Sequence, residues 1–169
     1  MRRFHVHLTV ENLTHNIDYY SKLFGQPPTK EKSDYAQWLL ENPAVNFAIS
    51  SRGKTFGISH LGVQADNDDD WQELQERARR SGDIFEQSNT TCCYAKSDKA
   101  WSKDPQGVAW EYFFTKSQAD DYGVDTSEDL NAISSDGYVE QELSSKNIDS
   151  YKSNSNNCRL FARKDNCCS

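Results

Sequence analysis

Two adjacent cysteines, in Thr91-Cys92-Cys93-Tyr94, are the most unusual chemical feature of this sequence. Neighbouring thiols make a soft donor pair suited to thiophilic elements such as trivalent arsenic, Cd(II) or Hg(II). A geometric condition comes with them. Successive side chains of a regular strand point to opposite faces, so both sulfurs reach one atom only where the chain turns or loops. The polar run Ser88-Asn89-Thr90-Thr91 permits that, and Lys96 and Lys99 lie near enough in sequence to lower a thiol pKa. The plainer reading is one buried and one exposed cysteine with no joint role.

A second set of donors comes from matching positions. His60-Leu61-Gly62-Val63-Gln64-Ala65-Asp66-Asn67 lies over His5-Val6-His7-Leu8-Thr9-Val10-Glu11-Asn12 at an offset of 55 residues. A lone histidine near a strand is usually packed or at the surface; duplication would instead carry His5 and His60 to one place between two related units. The third candidate, Glu111, sits in the apolar run Val108-Ala109-Trp110-Glu111-Tyr112-Phe113-Phe114. Buried, it would need a metal or an ion pair; on an edge strand it would face solvent. Two imidazoles and a carboxylate favour Fe(II) with positions open for oxygen and substrate, and Mn, Co, Ni and Zn accept similar ligands. His7, on the same strand face as His5, leaves open which imidazole binds. The repeat favours His5, with His7 either supporting a ligand from behind or merely packed. His15 reads as an exposed residue of the first helix.

The elements that must position these groups come in two similar sets, each predicted as strand, helix and three strands. In the first, residues 4–10 alternate as a strand and Asn12 or Thr14 caps a helix over residues 15–24. That helix has Ile17, Tyr20 and Phe24 on one face and stops at Gly25. Strands over 35–40 and 45–50 flank a turn at Asn42-Pro43, and Arg52-Gly53-Lys54 reads as a linker. The second helix starts in the acidic cluster 66–70, carries Trp71, Leu74 and Ala78 at helical spacing, and ends in arginines before Gly82, which suits the helix dipole. Strands follow over 84–87, 93–96 and 108–114, with a turn at Asp104-Pro105-Gln106-Gly107. The expected class is α+β: two tandem βαβββ modules, about 4–52 and 56–116, forming a domain over 1–116.

Residues 117–169 read differently. Ser, Asn and Asp dominate, and acidic residues outnumber basic ones by 10 to 5. Such a segment buries too little apolar surface to offset chain entropy, so a polar, mostly disordered tail is expected, with at most a short helix near 127–133. Its thiols, Cys158 and the pair Cys167-Cys168, read as incidental, or as a relay to the first pair. The whole chain of 169 residues carries 19 basic and 26 acidic residues, a net charge of -7. That balance argues against nucleic acid as a partner, because phosphate binding needs clustered Lys and Arg. No stretch reaches the roughly 18 consecutive apolar residues of a membrane span. No apolar segment follows Arg2-Arg3, so no export signal is read and a cytoplasmic location is expected. Thiols stay reduced there, and five cysteines, an odd number, read as ligands or reactive groups.

Several of these motifs together resemble a known superfamily. His5-x-x-Leu8-x-Val10, Tyr19-Tyr20, Leu23-Phe24-Gly25, His60-Leu61-Gly62-Val63 and Asp104-Pro105-x-Gly107-x-x-Trp110-Glu111 resemble the vicinal oxygen chelate proteins, which include glyoxalases, bleomycin and fosfomycin resistance proteins and extradiol dioxygenases. Within it, Thr91-Cys92-Cys93-Tyr94-Ala95, Asp98-Lys99 and Trp101 are similar to the organoarsenical carbon–arsenic lyases and the related cadmium-induced proteins. The resemblance covers about residues 4–116. It implies a non-heme iron dioxygenase-type enzyme that uses Fe(II) and molecular oxygen to split the carbon–arsenic bond of trivalent methyl or aromatic arsenicals, releasing arsenite and conferring resistance. It also implies that His5, His60 and Glu111 hold the iron and that Cys92 and Cys93 hold the arsenic. Glyoxalases take a further carboxylate from the last strand of the first module, and here Val45-Asn46-Phe47-Ala48-Ile49-Ser50 has none. The alternatives are a cadmium- or arsenic-binding thiol protein without turnover, and a metal-dependent thiol transferase or glyoxalase-like enzyme. A monomer and a homodimer are both compatible with the pattern.

Overall fold

The structure, a computed structural model, describes residues 1–123; the expected helix near 127–133 and Cys158, Cys167 and Cys168 lie outside the described residues. Strand β1 (Arg3–Thr9) leads into helix α1 (Leu13–Phe24), then β2 (Lys30–Lys32), β3 (Tyr35–Glu41) and β4 (Ala44–Ser50). The second set is β5 (Gly57–Ala65), α2 (Asp68–Ser81), β6 (Phe85–Cys92), β7 (Ala95–Lys103) and β8 (Ala109–Gln118). Both helices start where a side chain can take up a free backbone donor. Asn12 accepts from the amide of His15, and Asn67 from that of Asp70. Gly25 ends α1 in the left-handed conformation, with φ of 70°.

All eight strands form one sheet in the order β2-β3-β4-β1-β5-β8-β7-β6, a sequence that mirrors itself about the β1/β5 pair. β1 and β5 run antiparallel, while each pairs in parallel with the last strand of its own set. The 55-residue offset is visible in the register. Val6 faces Leu61 at the centre, and His5 opposite Gly62 is the image of His7 opposite His60. Alternation then sends His5, His7 and Thr9 to one face of β1 and leaves Phe4, Val6 and Leu8 on the other.

The helices cover that other face. α1 lays Ile17, Tyr20 and Phe24 against Trp38, Ile49 and Phe47, and α2 lays Trp71 and Leu74 against Ala65 and Ala100. Trp38 and Ile49 are fully buried, so each helix is held by area removed from water at about 25 cal/mol per Å2 rather than by its own propensity. On the uncovered face the sheet curls until its two halves touch. The ammonium of Lys30 on β2 donates to the carbonyl of Tyr94, and the Tyr94 hydroxyl donates to Asp34, 2.6 Å away. Among the described residues no helix is long and apolar enough to cross a membrane.

Three expectations differ from the structure. Lys30–Lys32 forms an edge strand too short and too charged to show in the hydropathy pattern. Residues 88–91, read as a loop, belong to β6, and the expected strand over 93–96 is split by a turn at Cys93-Tyr94, after which β7 begins. The polarity of these strands hid them, because their exposed faces carry Glu, Gln, Asn and Thr. The boundary drawn at Lys116 falls inside β8, and the chain stays packed as far as Gly123, which bridges Cys92.

Candidate active site

The sheet's curled face brings His5, His60 and Glu111 together. His5 Nε2 lies 3.3 Å from His60 Nε2, and Oε2 of Glu111 lies 3.4 Å from the first and 3.3 Å from the second. Glu111 is 3% exposed on an interior strand, which removes the solvent-facing alternative. Its neighbour on β5 is Gly62, where a Cβ would collide with the Glu111 carbonyl, so glycine lets the two strands approach.

The second nitrogen of each ring is spoken for. His5 Nδ1 donates to the backbone carbonyl of Asn46 at 2.9 Å, which leaves the Nε2 lone pair facing the carboxylate. His60 Nδ1 lies 3.1 Å from the Ser59 hydroxyl. The orientation is braced by rings, since Trp101 meets His60 edge-on at 5.1 Å and Phe113 meets His5 at the same distance. His7 is buried beside them, with its Nε2 on the Ser50 hydroxyl at 3.0 Å. Ring nitrogens of His5, His7 and His60 lie within 4.8 Å of one another, so a metal ion has two overlapping donor sets available here. His15 lies exposed on α1, away from this cluster.

Electrostatics keep His5, His7 and Glu111 in the form a metal ion needs. Burial lowers His5 to about 4, against a pull upward from Glu111, and burial also takes His7 well below the usual imidazole range. Both rings are therefore neutral at pH 7. Burial would raise Glu111, but the Lys99 ammonium on its Oε1 at 2.5 Å outweighs that and holds the carboxyl well below its ordinary value. Lys99 is only 5% exposed; burial works against its charge, and Glu111 and the thiols more than offset this, so it stays above its ordinary value. With Oε1 occupied, Oε2 is the oxygen left for an ion. The donor set thus fits a divalent metal: two buried imidazole nitrogens and one ionised carboxylate oxygen, each within 3.4 Å of the others.

A pH dependence follows for the metal-free protein. Between the unfolded His5 value of 6.5 and its folded value of about 4, the unfolded chain binds a proton that the folded chain refuses. The unfolded state thus holds more protons there, and stability falls as pH falls through the window, by about 3 kcal/mol for His5 alone. Urea denaturation of chelator-treated protein at pH 7 and pH 4.5 checks this; equal midpoints would refute it.

The thiols meet their geometric condition. Cys93 and Tyr94 are the two central residues of the β6–β7 hairpin turn, with φ of 58° and 61°, left-handed values typical of a type I′ turn. The turn swings both side chains inward, and the sulfurs lie 3.0 Å apart. The two thiols are not equivalent. The Cys92–Cys93 hydrogen bond pushes Cys92 up and Cys93 down, with burial raising both. A cavity of about 90 Å3 is lined by His5, His7, Glu111, Lys99, Cys92 and Cys93 together, with Gln37, Asn46 and Gln64 at its wall. Of the two lysines near the thiols in sequence, Lys99 faces this cavity and Lys96 faces solvent.

Sequence reasoning missed several lining groups. Asn46 is buried at the centre of an amide chain, donating to Gln64 and accepting from Gln37 across the two modules. An asparagine inside an apolar strand was its only signal. Tyr35 and Tyr122, packed against the thiols, left no signal. Ala48 occupies the position on β4 that Glu111 occupies on β8, one opposite His7 and the other opposite Gly62.

A fold of two mirrored βαβββ halves with this donor cluster at their junction defines the class. Residues 2–112 match the Glyoxalase/Bleomycin resistance protein/Dioxygenase superfamily, and the chain belongs to it. Nearer relatives narrow the comparison. A trivalent organoarsenical cleaving enzyme of Bacillus sp. (strain MD1) is 41% identical over 125 residues, 72% of this chain and 78% of that one. A cadmium-induced protein of Mycobacterium bovis is 30% identical over 146 residues, 82% and 96% of the two. Among solved structures, homoprotocatechuate 2,3-dioxygenase from Arthrobacter globiformis shares the fold at 12% identity and a TM-score of 0.51, over 77% of this chain and 40% of that one.

Proposed function

We propose that this protein cleaves the carbon–arsenic bond of trivalent organoarsenicals, methylarsenite and trivalent aromatic arsenicals among them, with Fe(II) and molecular oxygen, and releases arsenite. The observation that carries the reading is the shared cavity: a thiol pair with sulfurs 3.0 Å apart opens onto the same space as His5 and Glu111, each of which meets His60 Nε2 at 3.3 Å. The kinship with enzymes named for trivalent organoarsenical cleavage supports it.

His5, His60 and Glu111 would hold the iron through Nε2, Nε2 and Oε2. Bound there, Fe(II) supplies open positions and redox chemistry toward oxygen. The chain's own residues do the rest. Cys93 and Cys92 each form a sulfur–arsenic bond, and each displaced hydroxyl leaves as water with a thiol proton, so no oxidant is consumed in capture. The organic substituent is then fixed in the cavity beside the cluster, which makes the later chemistry effectively intramolecular. Lys99 stays charged and orients Glu111 through Oε1. Open thiols at the centre of the site suit a cytoplasmic location.

Anaerobic reconstitution with Fe(II), addition of methylarsenite, and arsenic speciation before and after admitting air test the reading. No arsenite before air and many equivalents per chain afterward are expected. One equivalent of bound arsenical, with no arsenite released in air, would instead make this a sequestering protein.

A further inference from the structure

The five residues after the last strand are tied into the wall of the thiol pair. The Ala119 amide donates to the Tyr94 carbonyl at 3.0 Å, and Gly123 bridges Cys92 in antiparallel fashion, so close that a Cβ on Gly123 would collide with the Thr91 carbonyl. Between them Tyr122 is buried, with its hydroxyl 3.6 Å from Cys93 Sγ, a sulfur hydrogen-bond distance. Its ring is locked. The Arg52 guanidinium lies 3.9 Å above it, and Tyr94 and Tyr35 meet it edge-on at 5.5 and 6.3 Å. Arg52 is itself anchored to Asp34, the same carboxylate that accepts from Tyr94. Residues from both modules therefore converge on one phenol beside one of the two sulfurs.

We propose that Tyr122 is a positioning residue for Cys93, holding that sulfur as the first of the two to attack arsenic. The assignment rests on the thiol pair being an arsenic clamp. The hydroxyl can donate to a thiolate and accept from a thiol, and Cys92 has no such partner among the contacts of the turn. Cys93 also sits at a left-handed position that a residue bearing a Cβ adopts at a cost, so a brace outside the hairpin keeps the turn and its sulfurs in place. In capture, the Cys93 sulfur–arsenic bond forms as one hydroxyl departs from arsenic. Cys92 then closes the ring with loss of the second, and arsenic stays trivalent throughout. The charged and titratable groups around Cys93 are Cys92, Lys99, Glu111, Tyr122, Tyr35 and Lys30. Only Tyr122 belongs to the segment past the last strand.

The test uses the full-length, metal-free chain and needs no turnover. Iodoacetamide alkylation of Cys92 and Cys93 is followed separately, by fragment ions of the peptide that holds both, across pH 6–10, for the native chain and for Tyr122→Phe, which keeps the ring under Arg52. The expected result is a drop of about tenfold in the Cys93 rate at pH 7, with the midpoint of its pH profile moved up by about one pH unit and the Cys92 rate unchanged. Arg52→Gln, which frees the ring without removing the hydroxyl, is expected to shift the Cys93 profile in the same direction by a smaller amount. Unchanged Cys93 profiles in both variants would overturn the proposal, as would equal effects on the two cysteines. A Cys93-specific effect in a chain that never releases arsenite would keep the positioning role and refute the lyase.

Discussion

Cys92→Ser is expected to lower arsenite release by roughly a thousandfold while Fe(II) binding stays at the native level. The second sulfur–arsenic bond is formed within one small cavity, where effective concentrations far exceed those in solution, and serine cannot replace it. A singly attached arsenical can rotate away from His5, His60 and Glu111. The two thiols should act as one unit, so Cys93→Ser gives a loss of similar size and the double variant little more. Arsenite speciation under steady turnover measures the loss, and Fe(II) titration of the metal-free variant checks the metal cluster. A variant retaining a tenth or more of native activity would favour a thiol transferase, which has no use for the pair.

Lys99→Met should destabilise the metal-free protein by about 3–5 kcal/mol, the usual cost of leaving one member of a buried ion pair alone. The size follows from burial. Glu111 and Lys99 are both nearly inaccessible, so water cannot take over as counter-charge for the carboxylate. The sign with pH is fixed as well. Lys99 holds Glu111 below its unfolded value, a contribution present above that value and lost as pH falls through the folded one. In the variant Glu111 therefore protonates at higher pH, and acid sensitivity moves upward. Urea midpoints at pH 7 and pH 5 measure both effects, and a loss under about 1 kcal/mol at pH 7 would sink the argument.

Much of the fold was legible because the first module obeys local rules. α1 has its stripe of Ile17, Tyr20 and Phe24, its Asn12 cap and its Gly25 stop, and β1 alternates cleanly. The mirrored half was harder to read. β6 and β7 are polar on one face and joined by a turn without glycine, so nothing in Cys93-Tyr94 announced a type I′ hairpin. The candidate donors stood out because histidines at matching repeat positions and a carboxylate in an apolar run are unusual. The supporting shell could not. Lys99 appeared only as a charge near the thiols, whereas its contact is with Glu111 on the neighbouring strand, a relation set by register. Tyr122 stands in a polar stretch and is buried only because Arg52 and the hairpin meet over it.

Ala48 shows how closely two different chemistries compete for one spot in this duplicated architecture. Its methyl group is packed among Tyr35, Tyr94, Tyr122 and Cys92. A carboxylate side chain there, where twofold repetition would put a mate for Glu111, would have to push into the aromatic wall behind the cysteines. A fourth ligand from β4, a second carboxylate oxygen, and a braced dithiol are therefore rival tenants of the same volume, and in this chain the choice of one residue on a central strand forecloses the other.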